Sequence, residues 1–209
     1  MISRGEETRE RIVAEAAALF NQHGLEGTSM FDLMKATGLE KGGIYRHFSS
    51  KEDVAVQAFD YAWQAIFEAR MHDVDAVSNS VDKLKRYVAN CVDPLLPTVP
   101  GGCPLLNTAI DADDGNPVLR AHARKALVEW RILLESIIST GIKRNEIKQG
   151  IKPAHLANIM ISCLEGALMM SRLERNREAV LIARSHLEQY LETQVRQSTD
   201  AARVRRTKI

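Results

Sequence analysis

The sequence predicts an all-α protein, an N-terminal three-helix domain followed by a helical bundle, about nine helices in all. Three observations predict it. Apolar residues recur at spacings of three and four through most of the 209 residues. Aromatic residues make up only 5%, too few for the Tyr-, Phe- and Trp-rich strands of a sandwich or barrel. The breakers are segregated: six of the twelve glycines lie in the first fifty residues, whereas four of the six prolines fall between Pro94 and Pro104. Glycines therefore punctuate short helices at the front, and one proline-rich loop interrupts longer helices behind.

The first helix is expected from Glu6 to His23, where Ile12, Ala16, Leu19 and Phe20 form one apolar stripe. Gly24 is its stop, with Leu25 folding back on the last turn. Ser29 and Asp32 have capping-box spacing and open a second, short helix that runs through Thr37 and ends at Gly38. A third starts near Glu40 and ends by Phe48. Ser49 or Ser50 caps a fourth, longer helix, with Glu52 and Asp53 complementing the dipole in its first turn. Trp63, Phe67 and Met71 share a face farther along. Further helices are expected over Asn79–Val92, Cys103–Ala112, Asn116–Thr140, Lys152–Arg175 and Arg177–Val195. Pro117 and Pro153 suit first helical positions.

The second and third helices, separated only by Gly38 and Leu39, read as a helix-turn-helix. In that motif one helix crosses the DNA backbone while the next presents its N-terminal residues to the major groove. Ile44 and Phe48 anchor the inner face of the third helix. That leaves Lys41, Gly42, Tyr45, Arg46 and His47 on its outer faces. Lys41 suits guanine acceptors or phosphate, and Tyr45 and His47 suit phosphate oxygens. Gly42 and Gly43 allow backbone and groove edge to approach closely, at about 0.8–1.0 kcal/mol each in helix propensity. Lys51 opposes the dipole of its own helix, a conflict that a bound phosphate would remove.

The string Thr28-Ser29-Met30, then Ala36-Thr37-Gly38-Leu39-Glu40-Lys41-Gly42-Gly43-Ile44-Tyr45-Arg46-His47-Phe48-Ser49-Ser50-Lys51-Glu52, resembles the signature of the TetR family of bacterial transcriptional regulators. The match extends back through Arg11-Ile12 and covers roughly residues 8 to 55. The resemblance implies a cytoplasmic, dimeric, all-helical protein with operator-binding helices in front and a variable ligand-binding bundle behind. It places Thr28 and Ser29 near phosphate, Lys41, Gly42 and Gly43 at base edges, and Tyr45, His47 and Lys51 on the backbone. Glu40 departs from the pattern, where a small hydroxyl residue is common. Gly43 departs where Thr, Ser or Ala is common. Gly101-Gly102-Cys103-Pro104-Leu105-Leu106-Asn107 looks like a subgroup of the same family.

Composition sets the limits. With 28 Lys+Arg against 27 Asp+Glu, the net charge is +1, which excludes a bulk polycation or an acidic tail protein. Residues 1–60 carry 7 basic and 10 acidic groups, and residues 194–209 carry 5 and 1. DNA binding must therefore rest on where Lys41, Arg46, Lys51, Arg4 and Arg9 are placed. No apolar run approaches the roughly 20 residues of a membrane span, and the charged first eleven residues do not read as a secretory signal. Three widely spaced cysteines argue for a reducing compartment and against a disulfide framework or zinc site.

The domain organisation expected is a DNA-binding domain over 1–50, a ligand-binding and dimerisation domain over 51–197, and a basic, flexible tail over 198–209. The ligand residues expected are Trp63, Phe67, Met71, Tyr87, Cys91, Leu106, Asn107, Trp130, Leu134, Met160 and Cys163, with Tyr87 and Asn107 orienting a ligand of unassigned identity. The same residues also suit a filled core. Cys103, at a helix cap behind two glycines, reads as an accessible thiol fit to sense oxidants or electrophiles, or else as an inert buried cysteine. The two apolar faces Ala157, Ile161, Leu164, Leu168 and Leu187, Leu191 suit a four-helix homodimer interface or intrachain core. Asp111, Asp113 and Asp114 read as a solvated turn. His122, His155 and His186 lack metal-ligand spacing. No cofactor is expected, nor any enzyme, because no nucleophile–base pair, metal motif or phosphate loop is present. The function expected is a repressor released from its operator by a small molecule. The alternatives are a DNA-binding dimeric scaffold without an inducer and an all-helical small-molecule enzyme.

Overall fold

The computed structural model describes residues 3–96, 99–113 and 115–198. Apart from Ser198, the expected basic tail lies outside them, as does Asp114. In order the helices are α1 (Arg4–Gly27), α2 (Met30–Thr37), α3 (Lys41–Tyr45), α4 (Lys51–Met71), α5 (Ser80–Cys91), α6 (Pro104–Asp111), α7 (Pro117–Lys143), α8 (Pro153–Glu174) and α9 (Glu178–Tyr190). A π-turn over Leu191–Val195 continues α9. Among the described residues there is no strand, only an isolated bridge between Ile147 and Arg196. The chain divides into two compact units, one of Met1–Ala69 with Leu96–Val128 and one of Arg70–Leu95 with Glu129–Ile209.

In the first unit, α1 starts at Ser3, whose hydroxyl accepts from the Glu6 amide. It breaks at Gly24 (φ 72°, ψ 179°), the stop read from the sequence. The expected capping box is formed: the Ser29 hydroxyl accepts from the Asp32 amide at 3.2 Å, and the Asp32 carboxylate accepts from the Ser29 amide at 2.8 Å. Gly38 closes α2 in the left-handed region (φ 68°), where its N–H bonds Met34 and a Cβ would be strained. The helix that follows spans only Lys41–Tyr45, shorter than expected, because the chain turns at Arg46–His47. Ser50 is the cap of α4, accepting from the Asp53 amide at 3.0 Å, while Asp53 reaches back to the Ser49 amide at 2.9 Å. Ile12, Val13, Ala16, Leu33, Ile44, Phe48, Val54 and Ala58 form one core under α1–α4. Burying an Ile or Leu there stabilises the head by about 1.5–3 kcal/mol each.

In the second unit, Asn79 caps α5 by accepting from the Val81 and Asp82 amides. Leu84, Tyr87, Trp130, Leu134, Ile138, Met160, Leu164 and Leu191 are buried at its centre. Arg196, just after the π-turn, donates to Asn79 and Asp82 and pairs with Glu192, which ties the chain back to the start of α5. By length and composition α8 is apolar enough to cross a membrane. Counting uninterrupted runs misses this, since Ser162 and Glu165 interrupt it. Its apolarity is divided between two faces: Leu156, Ala157, Met160, Ile161 and Leu164 are buried, whereas Ile159, Met170 and Leu173 are exposed.

Candidate nucleic-acid interface

The third helix is a surface held from below. Ile44 and Phe48 are buried, which turns Lys41, Gly42, Tyr45 and Arg46 outward. Gly42 and Arg46 lie opposite Ile44 at the 100° step of a helix. A Cβ at Gly42 would meet nothing within 4 Å. The Lys41 ammonium stands 5.9 Å from the Tyr45 ring centroid. His47 and Gly43 are half-buried, and the Arg9 guanidinium lies 5.4 Å from the Phe48 ring on the inner side. Glu40, at the N-cap, makes no side-chain capping bond.

Three of the expected DNA residues are engaged within the protein. Thr28 is buried, and its hydroxyl donates to the Gly24 carbonyl at 2.8 Å. Its side chain is therefore closed to a phosphate, which leaves its backbone as the part that can lie near one. The Ser29 hydroxyl is exposed but sits in the capping box, donating to Asp32 at 2.6 Å. The Lys51 ammonium donates to the Leu25 and Thr28 carbonyls at 2.8 and 3.1 Å, so the conflict at its own helix is met by the end of α1. An ammonium has three donors, which leaves one N–H of Lys51 beyond these bonds. Sequence reasoning missed Arg11, whose guanidinium caps α2 at the Thr37 carbonyl, 2.9 Å away. The nearby charge of Asp32 is held as carboxylate by its bonds to Ser29, which lower its pKa.

In the same unit, α6 grips the end of α1. The Asn107 amide donates to the Asn21 carbonyl and side-chain oxygen, both at 2.9 Å, and to the Gly101 carbonyl at 2.8 Å. Asn21 returns bonds to the Pro100 and Gly102 carbonyls. Asn107 is thus a structural cross-link whose N–H groups are spent on α1 and its own loop. Asp111 accepts from the Leu25 amide at 3.0 Å, so it caps the break after Gly24 and is not part of a merely solvated turn. Cys103 is buried, which fits the second of its two readings, an inert cysteine. The reason is Gly101 (φ 115°), where a Cβ would come within 2.7 Å of the Asn21 carbonyl oxygen. The glycines bring the loop against α1 instead of opening it.

The other ligand candidates fall in two places. Trp63 and Phe67 pack together on α4, with ring centroids 6.0 Å apart, and Leu106 is half-buried, all in the first unit. Met71, Tyr87, Cys91, Trp130, Leu134, Met160 and Cys163 belong to the second. There Arg70, only 2% exposed, donates to Glu165 at 3.1 Å and lies over the Trp130 ring at 4.3 Å. Burial raises the Tyr87 hydroxyl pKa and pushes the Cys91 thiol up to about 11, although Arg70 opposes both shifts. Burial also raises the Cys163 thiol. Arg70 and Glu165 were not singled out from the sequence. Their signal was a charge on an otherwise apolar stripe: Arg70 follows Trp63 and Phe67, and Glu165 falls between Ile161 and Leu168. None of the expected ligand residues lines the alanine-walled cavity of about 20 Å³ beside Asp111 or the groove of about 510 Å³ beside Lys83 and Arg144. On the last two helices Ala157, Ile161, Leu164, Leu187 and Leu191 are intrachain core, the second of their two readings. The exposed apolar residues are Ile159, Met169, Met170 and Leu173 on α8 and Leu181 and Ile182 on α9.

A short exposed helix anchored by Ile44 and Phe48, joined through a left-handed glycine to a doubly capped partner, defines a helix-turn-helix DNA-binding regulator. Residues 12–58 match the family model described as bacterial regulatory proteins, tetR family. Residues 80–187 match the tetracyclin repressor-like C-terminal domain. A TetR transcriptional regulator from Chloroflexus aurantiacus J-10-FL shares 43% identity and a TM-score of 0.89, covering 93% of this chain and 99% of that one. A TetR-family transcriptional regulator from Cytophaga hutchinsonii shares 34% identity and the same TM-score, covering 95% and 100%. The HTH-type transcriptional repressor DhaR of Mycobacterium sp. is 26% identical over 81% of this chain and 85% of its own. The chain belongs to the TetR family of bacterial transcriptional regulators.

Proposed function

We propose that the protein is a cytoplasmic homodimeric repressor that leaves a pseudo-palindromic operator when a small molecule binds. Its functional division is a reading head over residues 1–50 and a dimerisation and ligand domain over 51–197. The observation that carries the reading is the exposed set Lys41, Gly42, Tyr45 and Arg46 above buried Ile44 and Phe48. Its work is binding, not catalysis. One five-residue helix presents too small a surface for high affinity, so two half-sites are needed, and the exposed apolar residues of α8 and α9 supply a self-complementary surface. Gly166 lies on that face of α8, where a Cβ would meet nothing within 4 Å and two helices have room to approach closely.

Release requires a ligand that binds two body conformations with different affinities. The Arg70–Glu165 pair over Trp130, with Tyr87 and Cys91 beside it, supports that reading. Burying charges is costly, and such a pair is weak support for stability alone. Anisotropy titrations of duplex from upstream of the coding sequence test operator binding. Lys41→Ala and Arg46→Ala should weaken it and flatten its salt dependence by about one in slope for each phosphate left without its cation. Unchanged affinity and slope in both would remove these two residues from the DNA-binding surface. Leu173→Glu should yield monomer in sedimentation and reduce operator affinity. A thermal-shift screen decides between induced repressor and plain scaffold, since the former must contain a small molecule that both stabilises the protein and releases DNA.

A further inference from the structure

Phe31 is 70% exposed, the most exposed aromatic side chain among the described residues. It is the second residue of α2 and stands in a compact unit where Phe48 and Phe59 are buried and Phe20 is half-buried. Leu33 and Thr37 fill the inner face of α2, and Met30 and Met34 pack against the same core. The outer face is left with Phe31 and, four residues on, the exposed Lys35. That spacing places both on one side of the helix, about 6 Å apart along its axis. The intervening Asp32 carboxylate accepts from the Ser29 amide and hydroxyl, so its charge is satisfied within the capping box.

In a helix-turn-helix the first helix of the pair crosses the backbone while the second enters the groove. The outer face of α2 is therefore the face that meets a sugar–phosphate strand. A backbone strand alternates an apolar sugar with an anionic phosphate, and α2 offers an aromatic ring beside an ammonium. The remaining exposed cations of the motif, Lys41 on the neighbouring α3 and Arg46 just past its end, favour the same anionic partner. We propose that Phe31 packs on a deoxyribose of the operator backbone, next to a phosphate engaged by Lys35. This rests on the operator-binding reading. The ring supplies a term that is blind to sequence and to salt. An apolar contact releases no counterion, whereas each lysine–phosphate contact does.

Anisotropy titrations of the full-length protein against upstream duplex and a random duplex of equal length, at several salt concentrations, test this. Binding by the wild-type chain tests the operator reading first and separately. Phe31→Ala should then weaken both duplexes by a similar factor, roughly tenfold, and leave the slope of log K against log salt unchanged. Lys35→Ala should flatten that slope by about one per protomer. Phe31→Leu should recover part of the loss. A Phe31→Ala protein with an unchanged melting curve and affinity within about twofold of wild type would overturn the proposal. So would a loss confined to one base pair, which would mean a base contact. A shift in oligomeric state in place of DNA affinity would assign the ring to a protein partner and overturn it equally.

Discussion

Helices α2 and α3 lie side by side in one motif and are built on opposite plans. The first is closed at both ends, by a reciprocal Ser29–Asp32 capping box and by left-handed Gly38, and Arg11 adds a bond to its last carbonyl. The second has no side-chain cap, two glycines in five residues and two anchors, Ile44 within it and Phe48 just beyond. Local rules hold α2, whereas tertiary packing holds α3. The difference teaches that the motif separates support from display. The helix that carries the reading surface keeps its outer side free of the side chains that would stabilise it.

The largest effect should come from removing the anchor of the displayed helix. Ile44→Ala deletes a fully buried side chain and should cost about 2–5 kcal/mol in chemical denaturation, with operator binding abolished alongside. Equal denaturation midpoints for variant and wild type would break the contrast. Ser29→Ala should cost about 1 kcal/mol by opening the box that holds α2. Gly42→Ala should act in the other direction. It should add about 0.8–1.0 kcal/mol of stability because a Cβ meets nothing there, while operator affinity falls. A variant more stable and equally tight on DNA would show that the bare surface plays no part in binding.

Acid titration gives the smallest effect and a defined sign. Asp32 and Asp53 are held below the ordinary 3.8 by hydrogen bonds from Ser29 and Ser49, with Gln57 adding to the second. The unfolded chain therefore binds these protons more readily than the folded one. Their contribution is complete above 3.8 and is lost as pH falls through the depressed folded values, so stability rises with pH in that window. Asp32→Asn with Asp53→Asn should flatten the fall in melting temperature below pH 3.8.

Most of the fold was legible because its punctuation is local. Ser29 with Asp32, Ser50, Asn79, Pro104, Pro117 and Pro153 each act on amides or dihedrals within a few residues. The candidate site was legible where one periodicity decides, as for Ile44 against Gly42 and Arg46. It was not legible where two side chains far apart in sequence compete for the same group. Nothing near Asn107 states that Asn21 will take its amide. Nothing near Lys51 states that the Leu25 carbonyl lies within reach. Spacing also cannot orient a helix with two apolar stripes. On α8 the Ile161–Leu164 stripe and the Ile159–Met170 stripe read alike, and only packing shows which one is inside. Arg70 and Glu165 were missed because a single charge on a helix reads as surface until its neighbours are placed.

Gly42 has a consequence for how such a head changes over generations. The space beyond it is empty, its backbone needs no special conformation, and the anchors beneath it lie on the opposite side of the helix. A Cβ is sterically admissible there without repacking the core. A duplicated copy of the gene therefore has one position at which the surface offered to DNA is open to rewriting in a single step. Divergence between descendants would then begin at this residue, with the rest of the head inherited intact.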